Sequence, residues 1–258
     1  MKILVTNDDG IRSEGLWKLV QELKDIAEIT VVTPDREQSA IGTAVSLRQP
    51  LRVQKIKPLV PEVEAYSVSG TPSDSVILAL GTVAKSEVGM VVSGINHGSN
   101  LGEDVHISGT VGAALQGYFR SFPSLAISAP YGNEQSLDVA ARVAAIMVKK
   151  ILHTPTNKIF LNVNVPDLPL AEIAGVKITR LARESHINTV EEGNHGRQKY
   201  YWLVRQRIND ASDNGTDIWA VEQGYISITP LYFNRADRPP QHILNSLCAD
   251  LLQQLHNS

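Results

Sequence analysis

Short, uninterrupted apolar runs alternate along the first two thirds of this chain with longer segments whose apolar positions recur every three or four residues. Lys2-Ile3-Leu4-Val5-Thr6 reads as a buried strand, residues 13–23 place apolar side chains at helical spacing, and residues 28–35 return to a strand that ends in a loop. That is the start of a βαβ unit. The alternation continues through a strand over 88–94, a Gly-rich loop, a helix from about 110 to 122, a strand over 125–128, a long amphipathic segment over 137–152 and a strand over 159–166. Strands that read as continuous apolar runs are those buried on both faces, so the expected architecture is α/β, a mostly parallel central sheet covered by helices on each side. Functional residues are expected at the C-terminal ends of such strands.

Beyond Pro166 the pattern changes. Strands are expected over 176–181, 199–204 and 225–230, separated by long polar stretches without clear helical periodicity. The region from about 185 to 224 reads as a protruding hairpin or arm, and it holds Tyr200, Tyr201, Trp202 and Trp219. Its acidic stretch Asp210-Ala211-Ser212-Asp213-Asn214-Gly215-Thr216-Asp217 lacks the closing glutamate and flanking helices of a calcium loop and is expected to be solvated. An apolar-periodic helix over 240–255 closes the chain, suited either to cover the sheet or to dock on another subunit. The whole of 1–258 reads as one α/β domain, with the arm and the segment 240–258 as candidate oligomerisation elements.

Composition narrows the classes of function. Of 258 residues, 20% are charged and 43% apolar, without a low-complexity tract, so the whole chain is expected to fold. The formal net charge is -3 and the cations are scattered, which leaves no footprint for a nucleic-acid polymer or an anionic membrane. The N-terminus carries one Lys and a short apolar run cut by Asn7-Asp8-Asp9, unlike a signal peptide or a spanning helix, so a cytoplasmic protein is expected. Cys248 is the only cysteine, which excludes an internal disulfide and a thiolate metal cluster, and its leucine neighbours predict a buried helical position.

The candidate chemistry follows the predicted strands. After the first come two adjacent carboxylates and a glycine, Asp8-Asp9-Gly10. Both side chains can converge on one object only where the strand has ended and the backbone turns, which Gly10 permits. Two carboxylates held close together tend to take up a proton unless a hard cation favours both charged forms. The same residues also serve turn and cap chemistry, and this segment alone does not separate the two readings. After the second strand, Asp35-Arg36-Glu37-Gln38-Ser39-Ala40 offers the Ser39 hydroxyl and the Arg36 charge. Ser93-Gly94-Ile95-Asn96-His97-Gly98-Ser99-Asn100-Leu101-Gly102 alternates glycines with amides, which suits close backbone approach to a ligand and gives Asn96 as an oxygen ligand for a hard metal. Ser108-Gly109-Thr110 opens a helix whose free backbone N–H groups and flanking hydroxyls make a phosphate cradle, although capping and close packing explain the same residues. Ser69-Gly70-Thr71-Pro72 is mostly accounted for by helix capping.

Taken together, the segments supply carboxylates, a hydroxyl and an amide for a divalent cation and a helix N-terminus for an oxyanion, a combination suited to metal-assisted hydrolysis of a phosphate ester. Gly10 to Gly15 lacks the Lys-Ser or Lys-Thr of a phosphate-binding P-loop, and the adjacent aspartates lack the one-residue spacing of haloacid-dehalogenase-type phosphatases.

In order and spacing, Asn7-Asp8-Asp9-Gly10, Pro34 to Ala40, Ser69-Gly70-Thr71-Pro72, Ser93 to Gly102 and Ser108-Gly109-Thr110-Val111-Gly112-Ala113-Ala114 resemble the successive motifs of the SurE survival-protein nucleotidases. The resemblance implies a Rossmann-like three-layer fold with an extended hairpin and a C-terminal helix used in assembly into a homodimer or homotetramer. It implies hydrolysis of nucleoside 5'- and 3'-monophosphates, and in some members of short polyphosphate. It implies one divalent cation per subunit, Mg or Mn, held by Asp8, Asp9, Ser39 and Asn96. Asp8, Asp9 and Asn96 would then be the catalytic group, with Ser108, Gly109, Thr110 and Asn100 near the phosphate. Family members often have Tyr before the Ser-Gly-Thr and Glu near the helix end, where this chain has Ile107 and Gln116. These departures bear on pocket polarity and substrate preference. The competing class is a nucleotide-binding protein that keeps the metal site without turnover, and phosphate release with and without chelator separates the two.

Overall fold

Nine strands form one central sheet in the order β3-β4-β2-β1-β5-β6-β7-β11-β8. They are β1 (Lys2–Thr6), β2 (Glu28–Pro34), β3 (Val53–Ile56), β4 (Glu64–Val68), β5 (Val88–His97), β6 (Ser124–Ala129), β7 (Phe160–Asn164), β8 (Gly175–Ile178) and β11 (Tyr225–Pro230). The computed structural model describes residues 1–83, 88–132, 134–156, 158–183, 186–196, 198–207, 213–233 and 237–257. The six strands from β4 to β7 run parallel. At one edge β3 is antiparallel to β4, and at the other β11 is antiparallel to β7 and parallel to β8. The mostly parallel α/β architecture expected from the alternation is therefore the observed one, Rossmann-like in its strand order.

The apolar runs build two cores because alternate side chains leave the sheet on opposite faces. Ile3, Val5, Ile29 and Val31 pack on one side with α1 (Glu14–Leu23) and α4 (Glu134–Leu152). Leu4, Val32 and Val91 pack on the other with α2 (Pro72–Leu78) and α3 (Gly109–Tyr118). The small residues of α3 let it approach closely: an added Cβ at Gly112 would stand 2.5 Å from the Gly42 carbonyl oxygen.

Two strands were not anticipated. β3 is an edge strand with three exposed residues, tied by Lys55 to Glu64 at 2.8 Å, and β4 is only half buried, so neither carries the strong apolar run that marks the inner strands.

After β7 the structure corrects the sequence reading in three places. The arm is narrower than 185–224: a two-stranded ribbon of β9 (His186–His195) and β10 (Gln198–Arg207), paired from Gln198↔His195 to Arg207↔His186. Helix α5 (Asp217–Glu222) lies within the expected arm but folds onto the body, with Asp217, Ile218 and Ala220 buried and Trp219 stacked on Tyr225 at 6.0 Å. The stretch expected to be solvated therefore ends in a buried carboxylate; residues 210–212 lie outside the described residues. The C-terminal helix is two, α6 (Gln241–Cys248) and α7 (Leu251–Asn257), divided where Asp250 takes the left-handed backbone at φ 56 that short polar side chains tolerate. Leu244, Leu247, Leu251 and Leu255 bury their side chains with those of α4 inside this chain, so the apolar stripe of the pair faces inward. Cys248 is half-buried beside them, and burial pushes its thiol up to about 11, which leaves it un-ionised near neutrality. Among the described residues no helix is long and apolar enough to cross a membrane.

Candidate active site

The crevice lies where the strand order reverses. From β1 the chain crosses through α1 to β2 on one side, and it returns on the other side of β1 as β5, so the loops after β1 and β5 diverge and leave a gap at their C-terminal ends. The turn after β1 is held from within: the Asn7 side chain donates to the Gly10 carbonyl at 3.0 Å and accepts from the Thr33 hydroxyl. Gly10 has φ 88, and an added Cβ there would stand 2.8 Å from the Arg36 backbone, so only glycine fits. Backbone bonds from Ile11 to Pro34 and from Gln38 to Asp8 lock this turn to the loop after β2. That lock carries Ser39 to the edge of the gap, while Arg36 stays in solvent with its side chain 79% exposed.

Asp8 is buried at the floor. It accepts from the Thr110 hydroxyl, and Gly109 packs so closely that an added Cβ would meet Asp8 Cβ at 2.8 Å and Oδ2 at 2.9 Å. The N-terminus of α3 thus abuts one carboxylate, while the Ser108 side chain caps the helix by accepting from Val111 N–H at 3.1 Å. Asp9, which is part-buried, accepts from the backbone N–H of His97 at 3.2 Å. Burial pushes both carboxyls up to about 6. For Asp8 the Thr110 hydroxyl offsets part of this and the neighbouring Asp9 charge adds to it; for Asp9 the His97 N–H offsets and Glu37 adds.

From the β5 side comes Asn96. The register of β5 against β6 shifts between Ser93 and Asn96, and Gly94, at φ 141, crosses so close to β6 that an added Cβ would stand 2.4 Å from the Ile127 carbonyl oxygen. The Asn96 amide donates to the Gly98 carbonyl at 2.6 Å, which leaves its oxygen as the end that can meet an electrophile. Ser39, whose hydroxyl donates to Glu37 at 2.5 Å, lines the same cleft.

Asp8, Ser39, Asn96, Asn100 and Ser108 line one cleft of about 190 Å³. Asp9, Gly109 and Thr110 support it from behind, with the contacts to His97 and Asp8 just given. Gly70 and Thr71 are outside it: Thr71 forms a capping box with Asp74 and donates to the Ala44 carbonyl.

Two elements of the site's support carried little signal in sequence. Asn162 and Asn164 of β7 both donate to the Asn100 carbonyl, at 2.8 and 3.0 Å, and Asn164 also accepts from the Asn100 N–H. The Asn100 amide in turn donates to Ser128 at 2.9 Å, so the Gly-rich loop is pinned across two strands. Two asparagines in an otherwise apolar central strand, where the type is disfavoured, were the available clue. Asp217 accepts from Gly102, Ala182 and Ile218 N–H groups and holds the far end of the same loop. Burial raises its carboxyl above the ordinary range, and the three N–H donors work against that rise.

Asp8, Ser39 and Asn96 bring oxygen donors to the cleft, which His97 and Asp104 also line, and the Asp9 carboxylate adjoins it from behind. Two carboxylates, a hydroxyl and an amide suit a hard divalent cation, and the adjacent buried acids are the kind of pair such a charge stabilises. Among the described residues no group of three or more His, Cys, Asp or Glu gathers into a metal site.

Comparison with known proteins follows the same direction. The family model for Survival protein SurE matches residues 3–188. A Dehalococcoides mccartyi protein named 5'-nucleotidase SurE is 54% identical over 256 residues, 98% of this chain and 96% of the relative. A Haemophilus influenzae protein of the same name is 39% identical over 249 residues, 96% of each chain. The crystal structure of the SurE protein from Aquifex aeolicus is similar with a TM-score of 0.77 at 33% identity, covering 98% of this chain and all of that one. With motif order, strand order and end-to-end similarity in agreement, this chain belongs to the SurE family.

Proposed function

We propose that this chain is a phosphoric monoester hydrolase that releases phosphate from nucleoside 5'-monophosphates, with nucleoside 3'-monophosphates and short polyphosphate as further substrates. The observation that carries the reading is the adjacent pair Asp8 and Asp9 at the reversal of the strand order, with Asp8 against the N-terminus of α3 and Asp9 bonded to the His97 N–H after β5. The names of the relatives, 5'-nucleotidase SurE, agree with it.

Asp8, Asp9, Ser39 and Asn96 would hold one divalent cation, Mg or Mn. Bound there, it supplies a polarised water and draws charge from a phosphoryl oxygen. The residues themselves do the positioning. The Thr110 hydroxyl fixes one Asp8 oxygen and the His97 N–H fixes one Asp9 oxygen, so neither carboxylate turns freely. The positive end of the α3 dipole stands behind the cleft, where negative charge grows as the ester bond breaks. Asn100 is held rigid by Asn164 and Ser128, so the loop presents its polar groups without a cost of ordering at each turnover.

The test is release of inorganic phosphate from a panel of nucleoside 5'- and 3'-monophosphates and tripolyphosphate, with Mg or Mn and with excess chelator. Release that chelator abolishes is the expected result. Nucleotide binding without release under any metal would make the chain a non-catalytic nucleotide-binding protein instead.

The ribbon of β9 and β10 is the proposed assembly element. It stands apart from the main sheet, and Tyr200, Tyr201, Trp202 and Leu203 are between 46% and 82% exposed along it. A lone two-stranded ribbon is marginal in water, and exposed aromatics on one call for a partner surface. A closed homodimer or homotetramer would bury them. Light scattering is expected to find a dimer or tetramer, and replacing 186–207 with a short Gly-Ser linker is expected to lower the mass more than it lowers phosphate release. A monomeric intact protein at micromolar concentration would make the ribbon a lid over the cleft rather than an interface.

A further inference from the structure

The cleft holds less than a nucleotide needs. Its volume of about 190 Å³ lies below the roughly 300–1,000 Å³ of pockets that enclose a whole small ligand. A phosphate bound against Asp8, Asn96 and Ser108 with its sugar takes that space, so the base must lie at the rim. At the rim stands Tyr131, on the turn between β6 and α4, with 74% of its surface exposed. Its ring rests on Gly98, where an added Cβ would lie 3.4 Å from Cδ2, and its centroid is 6.1 Å from that of His97 at a tilt of 48°. Residues 96–98 connect this ring to the chemistry: the Asn96 amide bonds the Gly98 carbonyl, and the His97 N–H bonds Asp9.

We propose that Tyr131 is the platform on which the substrate's nucleobase stacks, with His97 flooring one edge of that platform, an inference that rests on the nucleotidase reading of the same cleft. The ring offers a broad apolar face to solvent beside a polar site, and every base has a π-face of matching size. Stacking of this kind is tolerant of base identity, so it selects nucleotides over base-free phosphate esters without choosing among the bases. It acts in binding rather than in bond breaking, because the ring is outside the group of atoms around Asp8 and Asp9.

The experiment compares adenosine 5'-monophosphate with ribose 5-phosphate in wild type, Tyr131→Ala and Tyr131→Phe, by steady-state phosphate release and by calorimetric binding. In Tyr131→Ala the ratio of kcat/KM for the nucleotide to that for the sugar phosphate is expected to fall about tenfold. The loss should appear in KM rather than kcat, the nucleotide Kd should weaken by the same factor, and Tyr131→Phe should restore the ratio. An unchanged ratio overturns the assignment, whether both substrates lose equally, as they would if Tyr131 only shaped its turn, or neither does. An unchanged ratio with a changed mass by light scattering would make the residue a subunit contact, which overturns it too. If wild-type protein releases no phosphate, the activity reading fails while the calorimetric comparison still decides the platform.

Discussion

Asp9→Asn is expected to lower metal-supported phosphate release by about a thousandfold, while the metal-free variant melts several degrees above metal-free wild type. The two effects have one origin. In the proposed site Asp9 would anchor a doubly charged ion, and losing one preorganised electrostatic contact in such a site costs about 100- to 1,000-fold. Without the ion the carboxylate is a liability, because burial holds both Asp8 and Asp9 at about 6 against an ordinary value of 3.8. An acid whose folded value is raised contributes stability that is fully present below about pH 4 and is lost as pH rises through about 6. Metal-free wild type should therefore lose stability across that window, and the amide, which cannot ionise, should flatten the curve. Thermal melts from pH 4 to 8 in chelator, set beside phosphate release in Mg or Mn, check both halves. A folded Asp9→Asn protein with near-normal turnover would sink the metal assignment.

Gly109→Ala is expected to cut turnover by about a hundredfold without unfolding the protein. Alanine is the better helix former by about 1 kcal/mol, so α3 itself does not oppose the change. The obstacle is a neighbour: the new Cβ would stand 2.8 Å from Asp8 Cβ, 2.9 Å from its Oδ2 and 3.1 Å from Ile41. Asp8 is short, buried and bonded to Thr110, so it has no flexible end to swing aside, and the carboxylate must shift as a whole. A displacement of about 1 Å in a positioned group can cost on the order of 100-fold. Gly81→Ala is the control, since a Cβ there meets nothing within 4 Å and turnover should be untouched. Wild-type kinetics in Gly109→Ala would show that the position of Asp8 tolerates more movement than the packing around it implies.

Much of the fold was legible because its inner strands are buried on both faces, and burial of that kind writes itself locally. Ile3-Leu4-Val5 is apolar without alternation and Ile29 to Val32 is interrupted only by Thr30, while the helix between them carries the 3.6-residue period. Once the sheet is parallel, every loop that follows a parallel strand comes to the same edge, so residues 8–9, 39, 96–100 and 108–110 fall into one group from their order along the chain alone. The edge strand β3 and its neighbour β4 carry little sequence signal for the opposite reason, since half-exposed residues lack contrast.

What the linear order left open were partnerships between residues far apart. Nothing near Thr110 indicates that its hydroxyl turns to Asp8, 102 positions away, or that Asn164 holds Asn100 across 64. Asp217 read as part of a solvated acidic loop, and only the docking of α5 brings three backbone N–H groups to bury it. The C-terminal periodicity was equally ready to dock on the body or on another subunit, and the break at Asp250 together with the position of α4 turned its leucines inward. Local pattern determines which residues are strand or helix and which loops share an edge, because those follow from burial along the chain. Which side chain meets which is decided by packing in three dimensions, where the hydrogen bonds that aim Asp8, Asp9 and Asn100 are made.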